Sequence, residues 1–137
     1  MATGDTVLTD DSLVRRADGL AIELTLPWYR SLWLSSVRRI DVRLGGTPIP
    51  QEALRVELGD RPFGVDELAD QWNVLWFIQD RLVVVVPDAA LPLAELPVEG
   101  QEVDVEVTVE LRLPYMQIAP MTYVSNHATT RRALAAR

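Results

Sequence analysis

"EVDVEVTVELRLP", residues 102–114, decides the fold class. Val103, Val105, Val107, Val109, Leu111 and Leu113 alternate with Asp104, Glu106, Thr108, Glu110 and Arg112. Successive side chains of an extended chain point to opposite faces. This period of two therefore gives a half-buried strand, apolar inward and mostly charged outward.

The same rhythm recurs upstream. In "LAIELTL" (20–26), Leu20, Ile22, Leu24 and Leu26 share one face. In "RRIDVRL" (38–44), Ile40, Val42 and Leu44 point in while Arg39, Asp41 and Arg43 point out. Gly45-Gly46 follows as a hairpin turn signal, and Leu54, Val56 and Leu58 line up on one face after it. "VLWFIQD" (74–80) and "LVVVVP" (82–87) suggest two strands joined tightly around Asp80-Arg81. The second is apolar on both faces, which suits a central or covered strand. Only 65–72 breaks the pattern: Val65, Leu68, Ala69 and Trp72 fall at i, i+3, i+4 and i+7, one helical face, with Asp66 and Glu67 in the first turn. Several strands at hairpin-like spacing, without a strand–helix–strand rhythm, predict an all-β chain. The expected fold is an antiparallel β-sandwich with one short helix. Residues 1–19 are expected to form a flexible N-terminal segment and 20–124 the sandwich domain. Residues 125–137 should form a C-terminal tail, a short helix or loose chain.

Composition narrows function. The 137 residues suit one domain, and a chain of this size buries enough surface to fold without staples. With no cysteine there is no disulfide, thiolate metal site or cysteine nucleophile, which fits a reducing, cytoplasmic location. The polar, acidic N-terminus does not resemble a signal peptide, and the longest apolar run has strand length, so no membrane span is expected. The net charge of −7 repels phosphate backbones and argues against nucleic acid as a partner. Every basic residue is arginine, so lysine chemistry is excluded.

Candidate catalysts are scarce. His127 is the single histidine and falls in the polar tail, where it lacks the rigid, oriented partners that a nucleophile's base requires. Asp104, Glu106 and Glu110 form a row that could hold calcium, but Thr108 and Arg112 interrupt it and a solvated outer face explains it better. "LGGTPIP" (44–50) has glycines but neither the lysine nor the helix of a phosphate loop. We assign no catalytic residue and no metal ligand to this chain.

What remains is aromatic surplus. "LPWYRSLWLSS" (26–36) packs Trp28, Tyr29, Arg30 and Trp33 into a connection between strands. Burying one such ring removes about 150–250 Å² from water. Strand alternation cannot put all of them in one core. Either Trp28 and Trp33 plug the ends of the sandwich, or the stretch faces a partner. Tryptophan, tyrosine and arginine are enriched at binding hot spots. "LPYMQIAPMTYV" (113–124) offers a second adaptable surface through Tyr115 and Met116, and Arg112 beside it suits a partner carboxylate. The candidate partner-binding set is Trp28, Tyr29, Arg30, Trp33, Arg112, Tyr115 and Met116.

"LPWYRSLWLSSVRRIDVRLGG", "GVDELADQWNVLWFIQDRLVV" and "VTVELRLPYM", in this order and spacing, resemble the small beta subunit of bacterial C-glycoside deglycosidases. The likeness spans roughly residues 20–124. Trp33 stands where that pattern has a proline, and Gly100-Gln101-Glu102-Val103 lacks the histidine of a Gly-x-His-x-Val motif. The resemblance implies a β-sandwich bound to a larger alpha subunit, a TIM barrel holding a divalent metal, usually manganese, within a higher hetero-oligomer. It implies elimination cleavage of the C–C glycosidic bond of 3-keto C-glycosides of plant phenols, including flavonoids, with the catalytic groups on the partner. A stand-alone carbohydrate-binding sandwich, stacking sugars on Trp28, Trp33 and Tyr115, is the alternative.

Overall fold

Alternation of this kind must close its apolar face against another sheet, and it does. The computed structural model describes residues 8, 12–17, 19–26, 31–59, 61–71, 73–77, 79–87, 90, 102–119 and 122–135. Its strands are β1 (Leu13–Arg16), β2 (Gly19–Thr25), β3 (Leu32–Trp33), β4 (Val37–Leu44), β5 (Thr47–Pro48), β6 (Arg55–Leu58), β7 (Arg61–Gly64), β8 (Leu75–Trp76), β9 (Arg81–Pro87), β10 (Glu102–Ala119) and β11 (Thr122–Ala135). One sheet runs β1-β2-β9-β6-β7, a second β11-β10-β4-β5, and a short ribbon β3-β8 stands beside them. Every strand pair is antiparallel.

The two large sheets share one core. Leu20, Ile22, Leu24, Val56, Leu82, Val84 and Val86 from the first meet Val37, Ile40, Val42, Leu44, Val105, Val107, Val109 and Leu111 from the second, all in a single buried cluster. The doubly apolar run forms β9, the middle strand of its sheet, with β2 on one side and β6 on the other. Gly45 and Gly46 carry positive φ angles of 56° and 84°, as the tight turn from β4 to β5 requires.

Four local expectations differ from the structure. Leu13–Arg16, inside the stretch expected to be loose, pairs with β2 from Leu13↔Ile22 to Arg16↔Gly19. Arg16 also makes a forked ion pair to Glu57, at 2.9 and 3.1 Å. The 65–72 helix is a 3₁₀ turn, Val65–Asp70, opened by a Glu67 carboxylate that accepts from the Gly64 N–H at 2.9 Å. An i, i+3 stripe suits 3₁₀ as well as α geometry, and so short a run has little α-helical cooperativity. β8 does not pair with β9, whose two edges are taken by β2 and β6; it pairs with β3 instead. Lastly, the expected tail is strand β11, in register with β10 from Glu102↔Ala135 to Ala119↔Thr122. Its alternation is weak to the eye because Asn126, Thr130 and Arg132 stand at the positions that face Leu111, Val107 and Val105 of β10. Residues 88–100 lie outside the described residues, apart from Ala90.

The outer face of β10 is a ladder of complementary groups. Arg131 holds Asp104 through hydrogen bonds of 2.8 and 3.0 Å, and the Thr108 and Thr129 hydroxyls are 2.9 Å apart. Glu106 and Glu110 stand in register with Arg43 and Arg39 on β4. The carboxylate row is thus interleaved with arginines. The Arg131 hydrogen bonds hold the Asp104 carboxyl below its ordinary value of 3.8; slight desolvation opposes this and the arginine's charge reinforces it.

Two outcomes are expected. A folded value below the unfolded one means Asp104 contributes stability above pH ~4, lost as pH falls through its folded value. Arg131→Ala should therefore move the Asp104 titration upward, toward 3.8, in a carboxyl-detected NMR titration. Gly19 has φ of 148°, and a β-carbon there would lie 2.1 Å from the Val86 carbonyl oxygen. Gly19→Ala should cost about 2 kcal/mol or more in urea unfolding, by backbone strain and a clash at the β2–β9 pairing.

Candidate partner-binding surface

Three consecutive large apolar residues, Leu75-Trp76-Phe77, cannot all face one core from an extended chain. The β3–β8 ribbon resolves the conflict by splitting them. Leu32 pairs with Trp76 and both are buried, while Trp33 pairs with Leu75 on the opposite, outer side. Trp76 is sealed completely and its indole N–H donates to the Asp80 carbonyl at 3.0 Å. Backbone bonds from Leu34 N–H to Val74 O (2.7 Å) and Ser35 N–H to Gln71 O (3.1 Å) fasten the ribbon to the 3₁₀ turn at Leu34–Ser36.

The outer side carries an exposed apolar surface. Trp33 is 47% exposed and Phe77 45%, the two exposed large hydrophobics among the described residues. Leu75 beside them is half-buried. About half of each ring, roughly 100 Å², faces water, and covering it is worth roughly 2–3 kcal/mol per ring. The sequence alone does not single out Phe77, because 74–80 reads as an ordinary strand; the available signal is the five-residue apolar run 74–78.

The remaining candidates fall as follows. Trp28, Tyr29 and Arg30 lie outside the described residues. Arg112 is half-buried on β10, directly after Leu111, the last β10 residue paired with β4. Tyr115 and Met116 are carried by the backbone of β10 beyond that point. Leu111 pairs with Val37, the residue that ends the 3₁₀ turn whose first neighbour is Trp33. Trp33 and the departing end of β10 are therefore separated by one short turn. His127 sits on β11 opposite Glu110 rather than in a tail.

A cleft of about 590 Å³ opens elsewhere, lined by Arg38, Arg39, Gln51, Glu52, Leu54, Gly64, Val65, Asp66 and Glu110. Two of its polar groups are held by β4: Arg39 pairs with Asp41 at 2.8 Å, and Gln51 donates to the Ile40 carbonyl and to Asp41. Among the described residues its lining has no aromatic ring, the platform on which a sugar stacks. Among the described residues, no three His, Cys, Asp or Glu side chains gather into a metal-binding group. None of the described helices is long and apolar enough to cross a membrane.

The model of the family described as C-glycoside deglycosidase beta subunit matches residues 7–115. This chain belongs to that family. It is 44% identical, over 96% of both chains, to a C-glycoside deglycosidase beta subunit of Arthrobacter globiformis. It is 30% identical to the 3'-dehydrocarminate deglycosidase beta subunit of a Microbacterium species, over 82% of this chain and 80% of that one. A beta subunit of Microbacterium trichothecenolyticum is 33% identical over 76% of each. A beta subunit has a partner subunit, and the outer side of β3–β8 has the chemistry of a surface that a partner covers.

Because these rings are only half covered, they contribute less to the stability of the chain alone than a sealed ring does. Trp33→Ala and Phe77→Ala should each lower its urea unfolding free energy by about 1–2 kcal/mol, whereas Trp76→Ala should cost about 3–5 kcal/mol.

Proposed function

We propose that this chain is the positioning subunit of a C-glycoside deglycosidase, docked on a larger TIM-barrel alpha subunit through the outer side of β3–β8. The single observation that supports it most is the joint exposure of Trp33 and Phe77, the two exposed large hydrophobics among the described residues. Trp28, Tyr29 and Arg30, which lead into β3, extend the same contact in this reading. Arg30 suits forked pairing with a partner carboxylate.

The reaction we propose for the complex is an elimination on a C-glycoside whose sugar is already oxidised to the 3-keto form. A base takes the proton beside the ketone, electrons move toward the anomeric carbon, and its bond to the aromatic aglycone breaks with a proton returned to the ring. These groups, and a divalent metal, most simply manganese, belong to the alpha subunit. Bound there, the metal would supply charge stabilisation at the ketone oxygen. The contribution of this chain is to cover part of the barrel mouth, exclude water and order the loops that shape the site. The isolated chain is inactive in this account, and the complex is a cytoplasmic hetero-oligomer.

Co-expression with the reading frame adjacent to its gene tests the proposal. The two chains should co-elute and together cleave a 3-keto C-glycoside, with neither active alone. Trp33→Ala with Phe77→Ala should weaken assembly at least ~30-fold, about 2 kcal/mol, as loss of a buried aromatic anchor does. Unchanged assembly and turnover in that double variant would remove the surface from consideration.

A further inference from the structure

β10 and β11 run past the sheet that anchors them. β10 pairs with β4 only as far as Leu111↔Val37, yet its pairing with β11 continues to Ala119↔Thr122. Beyond Leu111, eight residues of β10 (112–119) face four of β11 (122–125). The overhang is roughly 13 Å long by strand rise. The excess of four β10 residues is absorbed in two register shifts: Pro114, Tyr115 and Met116 between Leu113↔Val124 and Gln117↔Tyr123, then Ile118. A bulge bends a strand and re-aims what it carries, and proline, which cannot donate to a ladder, is found at such places.

The composition of this tip is unlike the rest of the chain. Charged residues make up 24% of the protein, but 113–119 and 122–125 contain none, and most of them are apolar. Alternate residues of a ribbon go to opposite faces, so an uncharged ribbon is uncharged on both. A two-stranded hairpin by itself is marginally stable in water. Such a tip is stabilised by being covered.

We infer that this bulged hairpin tip is the second half of the docking surface and seats on the larger subunit. The inference rests on the function proposed above and adds the element that completes the contact. Area supports it. The exposed halves of Trp33 and Phe77 offer roughly 200 Å², about a quarter of the ~800 Å² per partner of a standard interface. At the roughly 30–40 Å² per residue typical of such interfaces, the tip's eleven uncharged residues add about 400 Å². Position supports it too, since the overhang begins where β10 leaves Val37, one turn from Trp33. A second copy of this chain fits less well as the occupant, because each copy brings a net charge of −7 to the contact.

Hydrogen exchange on the full chain, alone and in complex with the co-expressed larger subunit, reads this directly. Amides of 112–119 and 122–125 should exchange at least ~10-fold more slowly in the complex. A shortened variant, with 114–123 replaced by Asn-Gly so that the Leu113–Val124 pair closes a two-residue turn, should keep its far-UV circular dichroism and bind ~100-fold or more weakly. If the shortened variant does not fold, the exchange data on the full chain still decide. Unchanged tip exchange in the complex, or full-strength binding by a folded shortened variant, overturns the inference. So does an isolated chain that elutes as a dimer with its tip already protected. If the full chain binds and Trp33→Ala with Phe77→Ala disrupts the complex while shortening does not, only the tip assignment falls. If the full chain does not assemble at all, the proposed function falls with it.

Discussion

The structure depends on the apolar face of β10. Val103, Val105, Val107, Val109 and Leu111 are all buried, and β10 is the strand that β4 and β11 flank. Burying five such side chains is worth on the order of 10 kcal/mol as an upper figure, comparable to the whole net stability of a domain. A one-residue slip would put Asp104, Glu106 and Glu110 into that core, so register is fixed by burial. The charge ladder on the other face, Asp104 with Arg131 and the two threonines with each other, is in water and adds mainly specificity of pairing.

With the sandwich closed this way, little apolar surface is left over among the described residues, and where it is left over is informative. The β3–β8 ribbon has one buried side, Leu32 and Trp76, and one outer side, Trp33, Leu75 and Phe77. A two-stranded ribbon covers only one face by itself. Its outer rings and the β10–β11 overhang lie near the same end of β4, at Val37. Family membership supplies the reason a beta subunit would keep such surface uncovered in the single chain.

Strand positions and inward residues were legible in the sequence wherever alternation was strict: 20–26, 38–44 and 102–113 all form strands with the expected faces inward over their described side chains. Partners were less legible. That β8 joins β3 follows from both edges of β9 being occupied, a property of the assembled sheet and not of residues 74–80. β11 is hard to read because Asn126, Thr130 and Arg132 occupy the positions opposite Leu111, Val107 and Val105, so the apolar half of its alternation is interrupted. Of the candidate surface, Trp33 was legible from aromatic crowding. Phe77 was not, because its exposure depends on Trp76 taking the inward place.

The order of pairing also shapes how the chain comes off the ribosome. β2 waits for β9, some sixty residues later, and β4 waits for β10, later still. Neither large sheet can be completed until most of the polypeptide has been synthesised, and such distant pairing makes for slow folding. Until β10 emerges, Ile40 and Val42 lack the strand that flanks them, because β5 pairs only with Arg43 and Leu44 at the far end of β4. The nascent chain is thus at its stickiest late in translation, when a chaperone or an already finished neighbour has the most to shield.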